Sequence, residues 1–329
     1  MPVIALEEHM ATPDVIRAWK ALDPALRDLA LAHSSEGESG RRLLALDQTR
    51  IAAMDAAGID ISVLSLTAPG LQGLAAADAV ALQGPVNDLI AEVVAHRPDR
   101  FQGFATLATP APQAAARELE RAVTRLGLDG ALVFGRTRER NLDHKDNWPI
   151  FEAAAALRAP LYLHPQSPLP AVRQAYYCGL GDAVDDAFAT HGVGWHYETG
   201  IQFIRLILAG VFDRFPELQV ILGHWGEVVL FYLDRLEQLH DVAGLKRPLA
   251  DYVRAHAYVT PSGMLNARYR RWASEVIGVN RLMFATDYPF VPVTGEAVDA
   301  FFRADDLNPE DRAAIGGGNW TRLRAGIRR

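Results

Sequence analysis

The sequence predicts a (β/α)8 barrel of the α/β class, a TIM barrel formed as one domain over residues 1–329. Three observations carry this. Eight short apolar segments are spaced along the chain, most of them continuously apolar, as strands of a parallel sheet buried on both faces must be. Helical patterns separate them. Four of the segments, far apart in order, end in carboxylate or imidazole residues at positions that a closed barrel brings together and an open doubly wound sheet holds apart.

The predicted strands are Val3–His9, Ser62–Ala68, Phe101–Ala108, Gly130–Gly135, Pro160–Pro165, Leu218–His224, His256–Ser262 and Leu282–Pro289. Helices are expected between them. Arg42–Ala57 ends at Gly58, which takes a left-handed C-cap without steric cost. Ala75–His96 stops before Pro98, Pro112–Leu126 before Gly127, Trp148–Arg158 before Pro160 and Thr199–Phe215 before Pro216. Glu227–His240 and Asn266–Ile277 follow. Gly316-Gly317-Gly318-Asn319 lies outside any strand–loop–helix unit and reads as a turn before the last helix. Two connections are long: Met10–Gly40 after strand one, with helical pieces, and Gln166–Glu198 after strand five. The second carries Tyr176, Tyr177, Cys178, Gly179, Gly181, Trp195 and Tyr197. Connections of this length close a site or build a subunit interface.

Half the residues are hydrophobic, enough for a large core, and the formal charge is −7, which gives nucleic acid no electrostatic footing. Lysine occurs only at 20, 145 and 246. Cys178 is the single cysteine, so no intrachain disulfide forms, which favours a reducing compartment. The N-terminus lacks a basic region, and Glu7 and Glu8 interrupt its apolar stretch, unlike a secretory signal. The longest later apolar run, Phe203–Phe212, contains Arg205 and is too short to span a bilayer. The expectation is a cytoplasmic enzyme acting on a small molecule, without membrane or nucleic-acid partners.

The chemistry sits at the strand ends. Glu7 and His9 are two apart on strand one, so both side chains lie on one face; if that face is the interior they converge, and Glu8 turns outward toward the helices. His164 ends strand five. His224 ends strand six within Leu222-Gly223-His224-Trp225-Gly226-Glu227, and Glu227, at a helix start, is placed to hydrogen-bond the His224 ring and set its tautomer. Asp287 ends strand eight within Ala285-Thr286-Asp287-Tyr288-Pro289. Mixed carboxylate and imidazole donors at the C-terminal face suit a divalent metal: zinc or manganese, with iron and magnesium also open. Strand four, Gly130–Gly135, has no lysine to bridge two ions, so one metal ion is expected rather than two.

Glu-x-His on strand one, His on strands five and six and Asp on strand eight resemble the amidohydrolase superfamily. Ala5–His9, Met54–Asp60, Leu161–Pro165, Gly210–Gly226 and Ala285–Pro289 are similar to its aminocarboxymuconate-semialdehyde-decarboxylase-like branch, within it most of all to the γ-resorcylate and 2,3-dihydroxybenzoate decarboxylases. The resemblance runs from about residue 3 to Arg322. It implies metal ligands Glu7, His164 and Asp287, with His9 an optional fourth. It also implies a catalytic Asp287 and a base or orienter His224 paired with Glu227. By the same resemblance Arg50 binds a substrate carboxylate; read alone, Arg50 is a helix-surface residue in a salt bridge. Trp195 and Tyr288 are expected to wall the pocket. The implied activity is decarboxylation of a small ortho-hydroxybenzoate by a homodimer or homotetramer, with a lactonase or amide hydrolase on the same ligands as the alternative. Phe134, Gln202 and Trp225 depart from the residues common in relatives (Asn, His and Met), which leaves the substrate, not the metal site, open.

Overall fold

The computed structural model describes residues 2–303 and 307–329. Parallel strands run in chain order around a closed ring. Ile4–Met10 pairs with Ile61–Leu66, which pairs with Phe101–Gly103. The third barrel strand then breaks at Phe104 and continues as Ala105–Thr106, paired with Ala131–Phe134. Leu161–His164, Val220–Leu222 and Ala257–Val259 follow side by side. The eighth position closes the ring through single bridges, Leu282 to Val259, Phe284 to Ala5 and Tyr288 to Glu8. This closure confirms the barrel against the open sheet.

The interior is filled rather than hollow, as packing in such barrels demands. Ile4, Leu6, Val63, Phe104, Leu132, Tyr162, Ile221 and Met283 form one buried cluster. Trp320, from the last helix Asn319–Ala325, joins it and donates through Nε1 to Gln102 Oε1 at 2.7 Å. The turn before that helix lies over the start of strand one: a Cβ on Gly317 would stand 2.7 Å from the Pro2 carbonyl. The glycine run therefore closes the end of the barrel opposite the polar strand tips. Among the described residues no helix is long and apolar enough to cross a membrane.

Three helices differ from expectation. Arg42–Ala57 is two helices, Gly37–Leu44 and Gln48–Ala57, because Asp47 accepts from the Thr49 N–H and caps the second. The helix expected from Thr199 starts at Gly194, so Trp195, His196 and Tyr197 stand on it instead of in the loop, and it ends at Leu208, before a left-handed Gly210. The segment expected as Glu227–His240 opens with left-handed residues at 227 and 228, and regular helix resumes only at Leu233–Leu236 and Leu239–Ala243. Glu227 is thus not at the N-terminus of a long helix, and no helix dipole explains its placement. Asn266 caps Ala267–Ile277 as expected.

Candidate metal centre and active site

Strand one delivers two kinds of residue to the same interior. Its pairing with strand two shifts register between Ala5 and Glu8, so Leu6 and Glu7 together oppose one residue, Val63. Such a bulge reverses the parity of a strand. Ile4 and Leu6 fill the barrel below it, and Glu7 and His9 face the same cavity above it. The shared face expected for Glu7 and His9 is borne out.

Four side chains meet at the tips. Glu7, His9, His164 and Asp287 offer ligand atoms that all lie within 4.8 Å of one another. His9 Nε2 stands 3.2 Å from His164 Nε2, 3.5 Å from Asp287 Oδ1 and 3.9 Å from Glu7 Oε1. His164 Nδ1 is 2.9 Å from the Pro165 carbonyl, an acceptor, which places its proton there and leaves Nε2 a lone pair toward the cluster. Glu7 Oε1 is buried with no hydrogen-bond partner among the described residues, although His164 Nε2 is only 3.2 Å away. A buried carboxylate oxygen without a partner is costly. The orphaned oxygen, the two imidazole nitrogens and the second carboxylate fit a single divalent cation in number and chemistry.

The other oxygen of Glu7 is held in place. Tyr162 O–H donates to Oε2 at 2.6 Å, and Ser262 O–H donates to the same atom. Space around it is limited: a Cβ on Gly223 would fall 3.0 Å from Glu7 Oε2 and 2.9 Å from Ser262 Oγ. Burial alone would push the Glu7 carboxyl up; the imidazoles of His224, His164 and His9 outweigh it and hold it well below the usual carboxylate range. Burial pushes the Tyr162 phenol up, reinforced by the Glu7 charge, so Tyr162 stays a donor. Tyr162→Phe is expected to keep the fold and weaken metal affinity by ~10–100-fold, the usual cost of losing a hydrogen bond that orients a ligand. A competition titration against a chelator reads it.

Glu8 turns outward, as expected, but into a closed space rather than a solvated one. It is 3 % exposed and accepts from the Thr286 N–H and hydroxyl. Burial pushes its carboxyl up to about 8. A carboxyl raised on folding stabilises the folded chain most below its unfolded value of 4.5, and that contribution is lost as pH rises to about 8. Glu8→Gln carries no such charge. Thermal unfolding followed across this range should show the variant gaining on wild type as pH rises; a pH-independent difference would contradict it.

His224 and Glu227 pair as expected: the Nδ1–H of His224 donates to Glu227 Oε1 at 2.8 Å. His224 Nε2 lies 3.7 Å from Asp287 Oδ2. Burial opposes a charge on His224, but Glu227, Glu7 and Asp287 together hold its pKa well above the ordinary histidine value. Glu227 is fully buried; burial raises its pKa, and His224 and His196 bring it below the usual range. The backbone here is left-handed at His224, Trp225, Glu227 and Val228, with φ of 45°, 59°, 51° and 59°, and Asp287 stands at 61°. Such conformations cost about 1–3 kcal/mol each in residues with a Cβ and persist where surrounding contacts dictate them.

Arg50 is not the helix-surface residue that its sequence position alone suggests. It is 1 % exposed, which corrects the surface salt bridge. Its Nε and Nη2 donate to the carbonyls of Ala45, His9 and Arg42, and its guanidinium stacks 4.6 Å from the Tyr288 ring. Burial lowers its pKa to about 10. Of its nitrogens, Nη1 has no partner among the described residues. Trp195 donates to Ser167 Oγ at 3.1 Å. Of the departures, the Phe134 ring meets His164 edge-on at 5.4 Å between centroids, Gln202 bonds Leu142 and Asn141, and Trp225 donates to the Met264 carbonyl. Sequence reasoning missed Tyr162, Ser262 and His196. The first was readable: Tyr162 lies two residues before His164, hence on the same strand face.

A closed α/β barrel with Glu, His and Asp donors gathered at its C-terminal strand ends defines a metal-dependent barrel enzyme. Residues 18–323 match the amidohydrolase family, and the chain belongs to it. It is 35 % identical to the γ-resorcylate decarboxylase of Polaromonas sp. (strain JS666), over 96 % of each chain. Among solved structures, the 5-carboxyvanillate decarboxylase of Sphingomonas paucimobilis is 34 % identical, with a TM-score of 0.89 over 98 % of this chain and 99 % of that one. A dihydroxybenzoic acid decarboxylase of Polaromonas sp. JS666, solved with manganese and the inhibitor 2-nitroresorcinol, is 34 % identical, with a TM-score of 0.84 over 98 % and 97 %. The resemblance read from the motifs is borne out.

Proposed function

We propose that the protein is a carboxy-lyase: a metal-dependent, non-oxidative decarboxylase of a small aromatic acid bearing an ortho hydroxyl. Glu7, His164 and Asp287, with His9 as a fourth, hold one divalent cation, zinc or manganese. The observation that carries this is the convergence of those four donors around the orphaned Glu7 Oε1, in a chain similar over nearly its whole length to aromatic acid decarboxylases.

When bound, the cation supplies Lewis-acid polarisation of the carboxylate and the neighbouring phenolic oxygen. The residues do the rest. Asp287, in its acid form, gives its proton to the ring carbon that bears the carboxylate. The C–C bond then breaks, its electron pair returns to the ring, CO₂ leaves and aromaticity is restored. One proton is consumed per turnover, and Asp287 is left ionised until it is reprotonated. Protonation at carbon is the difficult step, which makes the placement of that acid decisive. His224, fixed by Glu227, exchanges a proton with the phenol. Arg50 Nη1 is the donor left over for an anionic substrate, and Tyr288 and Trp195 wall the ring.

The same reading takes the enzyme as cytoplasmic and as a homodimer or homotetramer. The connection after strand five leaves Tyr176 and Leu180 at 74 % and 64 % exposure, apolar surface of the kind subunits cover. The test of function is a parallel assay of the metal-loaded protein: CO₂ release from a hydroxybenzoate panel against ring opening of a lactone panel. CO₂ release supports the lyase. Lactone hydrolysis without CO₂ release assigns the same ligands to a hydrolase.

A further inference from the structure

His196 belongs to none of the strand-end motifs, and the reaction above does not use it. Its Nδ1–H donates to Glu227 Oε2 at 2.8 Å, while the opposite oxygen of that carboxylate takes the His224 Nδ1–H at 2.8 Å. Glu227 is fully buried, and its two side-chain oxygens are each occupied by one imidazole. The two rings lie 4.6 Å apart. Behind His196, Nε2 stands 3.1 Å from the His191 carbonyl.

The helix Gly194–Leu208 is shaped to bring this about. His196 and Gly200 are four residues apart and share one face. Gly200 lets that face press on the His224 loop: a Cβ there would fall 2.2 Å from the Glu227 carbonyl. One helix face thus meets Glu227 twice, with a side chain at its carboxylate and bare backbone at its carbonyl. His196, His224 and Glu227 also offer three atoms within 4.8 Å of one another, but both nitrogens are already hydrogen-bonded to the carboxylate, which accounts for the cluster without an ion.

We infer that His196 is a positioning residue: it holds Glu227 so that the carboxylate keeps the His224 ring with Nε2 turned to Asp287. The kinetic part of this rests on the decarboxylase reading; the structural part does not. A carboxylate with one oxygen released can rotate or admit water, and the His224 ring then loses its fixed orientation.

The test compares His196→Ala with His196→Asn in the full-length, metal-loaded protein. The asparagine amide can still donate to Glu227; alanine cannot. The first readout needs no substrate: the low-field proton resonance of His224 Nδ1–H, identified by its loss in His224→Gln. It is expected to persist in wild type and His196→Asn and to vanish through solvent exchange in His196→Ala. The second is CO₂ release, where His196→Ala should lose about tenfold in kcat, with KM and metal content unchanged, and His196→Asn should recover most of it. The inference is overturned if His196→Ala keeps the resonance and kcat, if His196→Asn is as impaired as His196→Ala, or if the loss follows a parallel loss of metal. A wild-type protein that releases no CO₂ sinks the decarboxylase reading, and the resonance still decides the role of His196.

Discussion

Asp287→Asn is expected to abolish CO₂ release, with kcat falling by about a thousandfold or more, within the range for loss of a positioned proton donor at a demanding step. The substitution nearly preserves shape, so the left-handed turn at residue 287 and its neighbours His9 and His224 stay in place. What it removes is the proton. An amide oxygen can still face the cation, so metal content should fall far less than activity. This separation distinguishes a donor from a ligand that only holds metal. Steady-state CO₂ assays with elemental analysis on the same preparation read both, and wild-type-like turnover would remove Asp287 from its assigned role.

His164→Ala should do the reverse and act first on the metal. His164 Nε2 faces both His9 Nε2 and Glu7 Oε1 at 3.2 Å, so its loss takes away a central donor and leaves Glu7 Oε1 still unpaired in a buried site. The fall in affinity should exceed the ~10–100-fold that loss of a supporting hydrogen bond costs. A cation that binds only the folded chain stabilises it by about 2.7 kcal/mol at a hundred times its dissociation constant. Added zinc or manganese should therefore raise the Tm of wild type and barely move that of the variant. Full metal occupancy in His164→Ala would take it out of the ligand set.

The barrel was legible because its strands are buried on both faces and therefore read as continuous apolar runs, bounded by glycine and proline. The strand-end donors were legible for the same reason: a carboxylate or imidazole closing such a run stands out. What the sequence concealed was local geometry. The bulge at Leu6 and Glu7 has no turn residue to announce it, yet it puts apolar plug and polar site on one strand face. The turn from His224 to Val228 reads as the start of a helix, because left-handed residues other than glycine leave no compositional trace. His196 sits where a loop was expected, and only the early start of its helix, set against Gly200, brings it to Glu227. Arg50 shows the opposite limit. Its position was noticed, but nothing local told that Ala45, His9 and Arg42 would take its donors.

These cases share a cause. Period and punctuation along the chain report which residues are buried, and burial places the donors at the strand tips. Contacts between elements decide how each donor is aimed, and those arise from distant parts of the chain, such as Tyr162 and Ser262 on Glu7.

We propose that the strand-tip cluster holds one cation and that Asp287 protonates a ring carbon as CO₂ departs. The measurement that reaches it most directly is turnover of a panel of ortho-hydroxybenzoates by the manganese-loaded protein in deuterium oxide, with CO₂ quantified and the product examined by NMR. CO₂ and an equal amount of product bearing one deuterium at the carbon that carried the carboxylate are expected, with neither formed after the metal is stripped. Ring opening of lactones by the same preparation, with no CO₂ from any ortho-hydroxybenzoate, would contradict it.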